Sequence, residues 1–333
     1  MAWATAAAPA AATAAPSLIA FPARRYCSPG LKAGTYGHAD SRRYTVPDVI
    51  RLIALDVDGT LLDSSWHVPE ANRVAIERAV ARGIEVALVT GRRFEFARPV
   101  IDVLPDPLTL IVNNGALVKT RQGTTLVAHL LPREVARQVL EATSDFRDTA
   151  AVVFDRVREG QVFYERIDAL DRRNRSHALR FREFVSEASP LEDCLTEDPA
   201  QVMFNGPFAP MRELLTHLRA LPIAGRFAIS VTEYESRDFT MVDVVRAGCS
   251  KGATLVEWAT RRGLGGDEVM AIGDNLNDRE MLEFAGCPVV MGNAVVELKT
   301  LGWPVTATND EAGVASAIET FALGSQKDIG SGP

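Results

Sequence analysis

The chain has 333 residues, of which 47% are hydrophobic and 24% are charged, and this length is sufficient for two globular domains with buried cores. The formal net charge of -7 argues against a general nucleic-acid binder, which usually presents a basic face, but it permits an anionic substrate. The four cysteines include no CxxC pair and the histidines show no ligand spacing, which argues against a disulfide framework or a zinc site.

Residues 1–48 precede the predicted fold. They are rich in alanine, are interrupted by Pro9 and Pro16, and lack the sustained apolar run of a membrane span. Their first acidic residue is Asp40, whereas five residues are basic: Arg24, Arg25, Lys32, Arg42 and Arg43. This excess of basic residues is similar to that of an organelle transit peptide. A disordered tail or a start site assigned too far upstream fits as well. We expect a disordered or targeting-like extension, with a cytoplasmic location or organelle targeting as the alternatives.

From residue 49 to residue 130, short apolar strands alternate with helices, and the strands end in small polar residues. This alternation is typical of a doubly wound, parallel α/β sheet. The predicted strands are 51–55, 84–89 and 108–112, and the predicted helices are 69–82 and 94–103. A hairpin over 119–131 follows, with its turn at Gln122-Gly123.

From residue 131 to residue 238, hairpins and helices follow one another, which predicts an α+β unit inserted into the first domain. Its predicted strands are 150–155, 161–167, 201–205 and 226–232, and its predicted helices are 132–143 and 209–221. The segment 168–182 is rich in arginine. It is predicted to be a solvated loop and helix, or alternatively to meet a second anionic group of a substrate.

The first pattern returns at 239–245, which is predicted to be a strand of the core. The strands predicted after it are 268–272, 288–291 and 303–307, and the helices are 251–260, 279–285, 293–300 and 312–321. The predicted core therefore comprises 49–130 and 239–323, the inserted domain comprises 131–238, and a flexible tail comprises 324–333.

Polar residues follow the predicted core strands, or begin the helix beside them, in four clusters. These are Asp56 with Asp58, Thr90 with Gly91, Lys251, and Asp274 with Asn277 and Asp278. Open α/β sheets place ligands at the carboxyl ends of their strands. Four carboxylates gathered there would raise one another's pKa values unless a cation intervened. Mg²⁺ bound by carboxylates and by the oxygens of a phosphate is the usual solution.

These motifs resemble the haloacid dehalogenase (HAD) superfamily, specifically its Cof-type (class IIB), sugar-phosphatase-like branch. The matching segments are residues 56–62, 90–92, 250–252 and 273–278, with further similarity at 114–116 and 308–315. The resemblance covers 50–130 and 239–322. It implies a Rossmann-like HAD core with a C2-type cap, which the inserted unit matches in position and size.

The resemblance also implies residue roles. Asp56 would be the nucleophile that forms an aspartyl-phosphate, and Asp58 would protonate the leaving alcohol and then activate water. The Mg²⁺ site would comprise Asp56, the Asp58 carbonyl and Asp274, with Asp278 in contact directly or through water. The phosphate-binding residues would be Val57 through its N–H, Thr90, Gly91, Lys251 and Asn277.

The predicted function is therefore a Mg²⁺-dependent phosphatase of a small phosphomonoester, either a sugar phosphate or a cofactor-precursor phosphate. A phosphomutase and a non-catalytic phosphate-sensing module are the alternatives. The non-catalytic alternative predicts that the carboxylates of the site have been replaced, whereas all of them are present. No nucleic-acid or membrane partner is expected, and the protein is expected to be a monomer or homodimer. Asp278 could instead cap the helix at 279. Arg92 and Asn114 are expected near the site, with a structural role as the alternative for each, and Asp63 and Asp243 receive no role.

Overall fold

The computed structural model describes residues 49–167, 182–234 and 238–324. The strands of these residues are β1 (Leu52–Leu55), β2 (Glu85–Val89), β3 (Leu108–Val112), β4 (Leu117–Thr120), β5 (Thr125–Ala128), β6 (Ala150–Val153), β7 (Val162–Tyr164), β8 (Val185–Glu187), β9 (Gln201–Gly206), β10 (Phe227–Tyr234), β11 (Phe239–Arg246), β12 (Val269–Gly273) and β13 (Cys287–Val290). The α-helices are α1 (Glu70–Ala81), α2 (Phe94–Ile101), α3 (Arg133–Ala142), α4 (Phe208–Ala220), α5 (Lys251–Arg261), α6 (Arg279–Phe284), α7 (Val296–Lys299) and α8 (Gly313–Ala317).

The first sheet has the strand order β13-β12-β1-β2-β3-β4-β5. Its strands from β13 to β3 are parallel, and the antiparallel hairpin β4–β5 extends one edge. Every residue of β1 and β12 is buried, as expected for continuous apolar strands covered on both faces. Leu55, the last residue of β1, lies beside Ile272 of β12 and Leu88 of β2, so these strands end at one edge. The predicted doubly wound α/β core is confirmed.

The second sheet has the strand order β10-β11-β9-β6-β7-β8, and all its pairings except β7–β8 are antiparallel. Helices α3 and α4 pack against one face of it, where Val139 and Leu214 share a core with Phe204 and Val242. Side chains alternate along a strand, so the neighbouring residues of these strands point to the opposite face. That face carries polar groups of β9, β10 and β11, including Gln201.

The prediction that β11 belongs to the core sheet was wrong. Val242 of β11 lies between Phe204 of β9 and Val231 of β10, both in the second sheet. Five of its eight residues are apolar and most of the strand is buried, which is compatible with a core strand. Only its pairing partners, which lie far away in the chain, identify its sheet. We therefore propose that the inserted unit ends near residue 246 rather than at 238.

Smaller differences concern short elements. The predicted strand at 303–307 is reduced to a single bridge between Val290 and Val305, and β8 was not predicted. The last predicted helix consists of α8 followed by a π-turn, Ile318–Ala322. The extension 1–48, the tail after residue 324 and nearly all of the arginine-rich segment lie outside the described residues. Within the described part of the chain, no helix has the length and apolarity needed to cross a membrane.

Candidate active site

Asp56 lies directly after β1, at the edge where the central strands end. Only 3% of its surface is exposed, and its N–H donates to the carbonyl of Ile272. Its Oδ1 accepts a hydrogen bond of 2.7 Å from Nζ of Lys251, which also donates at 2.7 Å to Oδ1 of Asp278. Lys251 is the buried first residue of α5, whose N-terminus is capped by Ser250. One ammonium therefore bridges two buried carboxylates.

Asp274 brings a third carboxylate to this place from the end of β12. One oxygen each of Asp56, Asp274 and Asp278 lies within 4.8 Å of the others. Oδ1 of Asp274 accepts a 3.0 Å hydrogen bond from Thr60. Gly59 has a φ of +82°, and a Cβ there would lie 2.4 Å from Oδ2 of Asp274. Glycine at position 59 thus allows its loop to approach the loop that carries Asp274. The converging carboxylate oxygens suit a hard divalent cation.

The electrostatics of this cluster favour an additional positive charge. Burial raises the pKa of Asp56 above its usual range, Asp278 raises it further, and Lys251 opposes both. Burial likewise raises the pKa of Asp274, and Asp56 adds to the effect. Burial lowers the pKa of Lys251, but Asp278 and Asp56 raise it more, so the ammonium stays charged. A cation among the carboxylates would stabilise their ionised forms.

Asp278 is completely buried and both its oxygens have partners. Its Oδ2 accepts hydrogen bonds of 3.1 Å from the N–H groups of Asp274 and Asn275, while its Oδ1 faces Lys251. It makes no side-chain capping bond to α6, so the alternative that it caps this helix was wrong. Asp278 instead closes the loop that carries Asp274.

Asp58 has a different partner. Both its oxygens accept hydrogen bonds from Arg92, at 2.5 Å from Nη2 and 2.8 Å from Nε. The Arg92 guanidinium also lies 5.5 Å from the centre of the Trp66 ring. Arg92 therefore contacts a predicted catalytic group directly and orients its carboxylate.

The predicted phosphate-binding residues of the first sheet lie at the same edge. Thr90 is buried after β2, and its Oγ1 accepts a 3.1 Å hydrogen bond from the N–H of Arg92 while retaining a hydrogen to donate. A Cβ on Gly91 would lie 2.9 Å from Oδ1 of Asn114, which restricts this position to glycine. Val57 is buried beside Asp56. Their roles toward phosphate stay predictions.

Strand β10 of the second sheet contacts the same region. Thr232 accepts a 3.3 Å hydrogen bond from Nδ2 of Asn277, whose Oδ1 is buried and has no partner among the described residues. Ser230, on the same face of β10, donates at 3.1 Å to Oδ1 of Asn114. Tyr234 shares this face. Burial raises the pKa of its phenol, and Asp58 raises it further, which indicates that the phenol faces the site.

Asp243 on β11 links the two sheets. It is fully buried, and its oxygens accept hydrogen bonds of 2.9 Å from Nδ2 of Asn114 and Nε2 of Gln201. No ion pair with it occurs among residues 49–167, 182–234 and 238–324. Burial raises the pKa of Asp243 to about 7, although the Asn114 hydrogen bond opposes this. Asn114 thus connects the core to the second sheet.

The contacts from the second sheet were missed by the sequence interpretation. Ser230 and Thr232 occupy alternate positions of the predicted strand 226–232, which indicates one polar face, and Tyr234 continues the alternation beyond its predicted end. The sequence does not show which surface that face meets. A buried carboxylate in the apolar stretch around Asp243 was a further signal of a polar network.

The fold and the site define a hydrolase of the phosphoryl-transfer class, with carboxylates at the edge of a parallel sheet and an inserted unit above them. Residues 53–318 match the model of the haloacid dehalogenase-like hydrolase family. The chain therefore belongs to this family, in its Cof-type branch, and is a phosphoric monoester hydrolase.

Individual relatives agree with this assignment. The chain is 32% identical over 251 residues to an HMP-PP phosphatase of Serratia proteamaculans, a match that covers 75% of this chain and 87% of that protein. It is 27% identical over 277 residues to a 5-amino-6-(5-phospho-D-ribitylamino)uracil phosphatase of Bacillus subtilis, covering 81% and 97%. A solved haloacid dehalogenase-like hydrolase from Bacteroides thetaiotaomicron has a TM-score of 0.68 and 26% identity, covering 81% and 98%.

Proposed function

We propose that this enzyme is a Mg²⁺-dependent phosphatase that hydrolyses a small phosphomonoester through a covalent phosphate on Asp56. The supporting observation is the convergence of Asp56, Asp274, Asp278 and Lys251 at the end of the central strands. Such a group of buried charges is costly for a fold, and a purely structural role would not require it.

Four groups would hold the cation in this proposal. Asp56 and Asp274 each supply a carboxylate oxygen, and Asp58 supplies its backbone carbonyl. Asp278 acts indirectly, without contacting the cation itself, because both its oxygens already accept hydrogen bonds from the protein. When bound, the cation neutralises charge on the phosphoryl oxygens and on the carboxylates around them.

The reaction then has two displacements. An oxygen of Asp56 forms a bond to phosphorus while the bond to the leaving oxygen breaks, and Asp58 gives that oxygen its proton. Asp58 then takes a proton from water, which attacks the phosphorus and releases inorganic phosphate with Asp56 restored. In both roles the guanidinium of Arg92 positions the carboxyl group of Asp58.

The remaining predicted residues would bind the transferring group. Lys251, already beside Asp56, balances charge on it, and Thr90 donates its hydroxyl hydrogen. The N–H groups of Val57 and Gly91 are the backbone donors in this proposal. Asn277 reaches the phosphate by exchanging its hydrogen bond with Thr232 for one with the substrate.

The proposed substrate is a sugar phosphate or a cofactor-precursor phosphate. The relatives named for HMP-PP and for a phosphorylated ribitylaminouracil support a small organic phosphate. The inserted unit, whose strand β10 contacts Asn277 and Asn114, would close over the leaving group and exclude water.

The test is phosphate release from p-nitrophenyl phosphate, with Mg²⁺ and with a chelator, by the wild type and by Asp56→Asn. Asp102→Asn, the same change at an exposed position, is the matched control. We expect release that needs Mg²⁺, falls at least about a thousandfold in Asp56→Asn and persists in Asp102→Asn. An Asp56→Asn protein as active as the control would refute the proposal.

A further inference from the structure

A cavity of about 180 Å³ lies between the first sheet and the inserted unit. It is lined by charged and polar residues of both parts, among them Arg93, Lys119, Asp155, Arg156 and Gln161. Arg93 follows Arg92, the residue that holds Asp58, directly in the chain. The cavity therefore begins one residue along the chain from the arginine that contacts Asp58.

Arg93 has unused donors. A guanidinium has five N–H donors, and in Arg93 only Nη1 has a partner in the described part of the chain, Oε1 of Gln161 at 2.6 Å. The guanidinium carbon lies over the ring of Phe96, 4.2 Å from the ring centre. The acid nearest to it along the chain, Glu95, is paired with Arg98 at 3.6 Å. Arg93 thus presents a fixed fork of donors that no carboxylate of the described residues pairs with.

The other cations at this cavity have anionic partners. Lys119 binds Asp155 and also donates at 2.8 Å to Thr125, and Arg156 lies 2.7 Å from Glu197. The unpaired charge therefore belongs to Arg93. Burial lowers the pKa of Arg93 to about 10, which leaves it positively charged near neutral pH.

A phenol accompanies this guanidinium. Burial raises the pKa of Tyr164 on β7, and the charge of Arg93 opposes that rise, which places the phenol within electrostatic reach of Arg93. Gln161 is fixed in turn, because its Nε2 donates at 2.7 Å to the carbonyl of Arg156. The inserted unit therefore contributes the hydrogen-bonded amide of Gln161 and the neutral phenol of Tyr164 beside Arg93 of the core.

We propose that Arg93 binds a second anionic group, a carboxylate or a phosphate, at the far end of the phosphoester that Asp56 attacks. The planar fork of Arg93 matches two oxygens of either group, and charge-assisted pairs of this kind are strong. The inference rests on the proposed phosphatase function and adds the substrate class. Arg93 is then a specificity-determining residue at the junction of the core and the inserted unit.

The test uses phosphoesters that differ only in whether the far end is a hydroxymethyl or a carboxylate. Suitable pairs are glycerol 3-phosphate with 3-phosphoglycerate, erythritol 4-phosphate with 4-phosphoerythronate, and glucitol 6-phosphate with 6-phosphogluconate. Fructose 6-phosphate with fructose 1,6-bisphosphate tests a phosphate at the far end. The value of kcat/KM is measured for the wild type, Arg93→Gln, Arg93→Lys and Arg219→Gln, the last an exposed position outside the cavity, with folding checked by circular dichroism.

We expect the wild type to prefer the anionic member at one chain length at least, by about tenfold or more, as a charged hydrogen-bonded pair implies. The preference should be lost in Arg93→Gln, partly kept in Arg93→Lys and unchanged in Arg219→Gln. The inference is overturned if no pair shows a preference, or if a folded Arg93→Gln retains it. Wild-type turnover of p-nitrophenyl phosphate separates the claims, because turnover without a preference in any pair overturns this inference and leaves the phosphatase function standing.

Discussion

Replacing Asp243 by asparagine should remove a large pH dependence of stability. The carboxyl is fully buried, accepts two amide hydrogen bonds of 2.9 Å and has a pKa of about 7 in the fold, against 3.8 as its ordinary value. The folded state therefore binds more protons than the unfolded state between these pH values. Stability is fully present below about pH 4 and falls as the pH rises toward 7.

The size of the effect follows from the two pKa values. One pKa unit corresponds to 1.36 kcal/mol, so a rise from 3.8 to about 7 corresponds to about 4 kcal/mol across the window. Asparagine is neutral throughout and, like a protonated carboxyl, offers one carbonyl acceptor. We expect Asp243→Asn to resemble the wild type near pH 4 and to be more stable by about 4 kcal/mol near pH 7.5.

Urea unfolding at several pH values from 4 to 7.5, with a chelator present, measures this difference. Asp56, whose pKa is also raised, titrates in both proteins and cancels from the comparison. The exposed change Asp102→Asn is the control and should give a curve parallel to the wild type. If the free energies of unfolding of Asp243→Asn and the wild type run parallel over the whole range, the pKa of Asp243 is not raised in the folded protein and the reasoning is refuted.

Three further predictions concern the site. Lys251→Met leaves two buried carboxylates without their ammonium, so the free energy of unfolding in chelator should fall by about 3–5 kcal/mol in a urea titration. Gly59→Ala places a Cβ against Oδ2 of Asp274 at a φ of +82°, and calorimetry should show Mg²⁺ binding weakened at least tenfold. Tyr234→Phe removes the phenol oxygen that faces Asp58, and kcat/KM for the preferred substrate should fall about tenfold or more, with p-nitrophenyl phosphate affected less.

For each of these predictions one result would contradict the reasoning behind it. Unchanged stability of Lys251→Met would show that the ammonium does not compensate the carboxylates. Wild-type Mg²⁺ affinity in Gly59→Ala would show that the loop carrying Asp274 is not part of the cation site. Equal losses of Tyr234→Phe on both substrates would assign the phenol to the common reaction rather than to the leaving group.

The order of motifs along the chain predicted the core of the site. Asp56, Thr90 and Asp274 each follow an apolar strand, and parallel strands in one sheet bring their carboxyl ends together. Local sequence was sufficient for these three residues because each directly follows the strand that positions it, whereas Lys251 begins α5 and Asp278 lies four residues beyond Asp274. The structure accordingly brings Asp56, Asp274, Asp278 and Lys251 into contact.

Other features depend on contacts between distant segments and could not be read in this way. The apolar strand β11 fits either sheet by composition, and only its pairing with β9 and β10 decides its place. The polar face of β10 was visible as a period-two pattern, but not its contact with Asn277 and Asn114. Arg92 was expected near the site, but the sequence does not show which carboxylate its guanidinium contacts.

The central claim is that Asp56 carries the phosphoryl group during turnover. The most direct measurement is an acid quench of the enzyme during turnover with Mg²⁺, followed by borohydride reduction, which converts a phosphorylated aspartate to homoserine. Peptide mass spectrometry should find homoserine at position 56, and should not find it there when substrate is omitted or in Asp56→Asn. Homoserine at another aspartate, or unmodified Asp56 in an enzyme that is turning over substrate, would contradict the account.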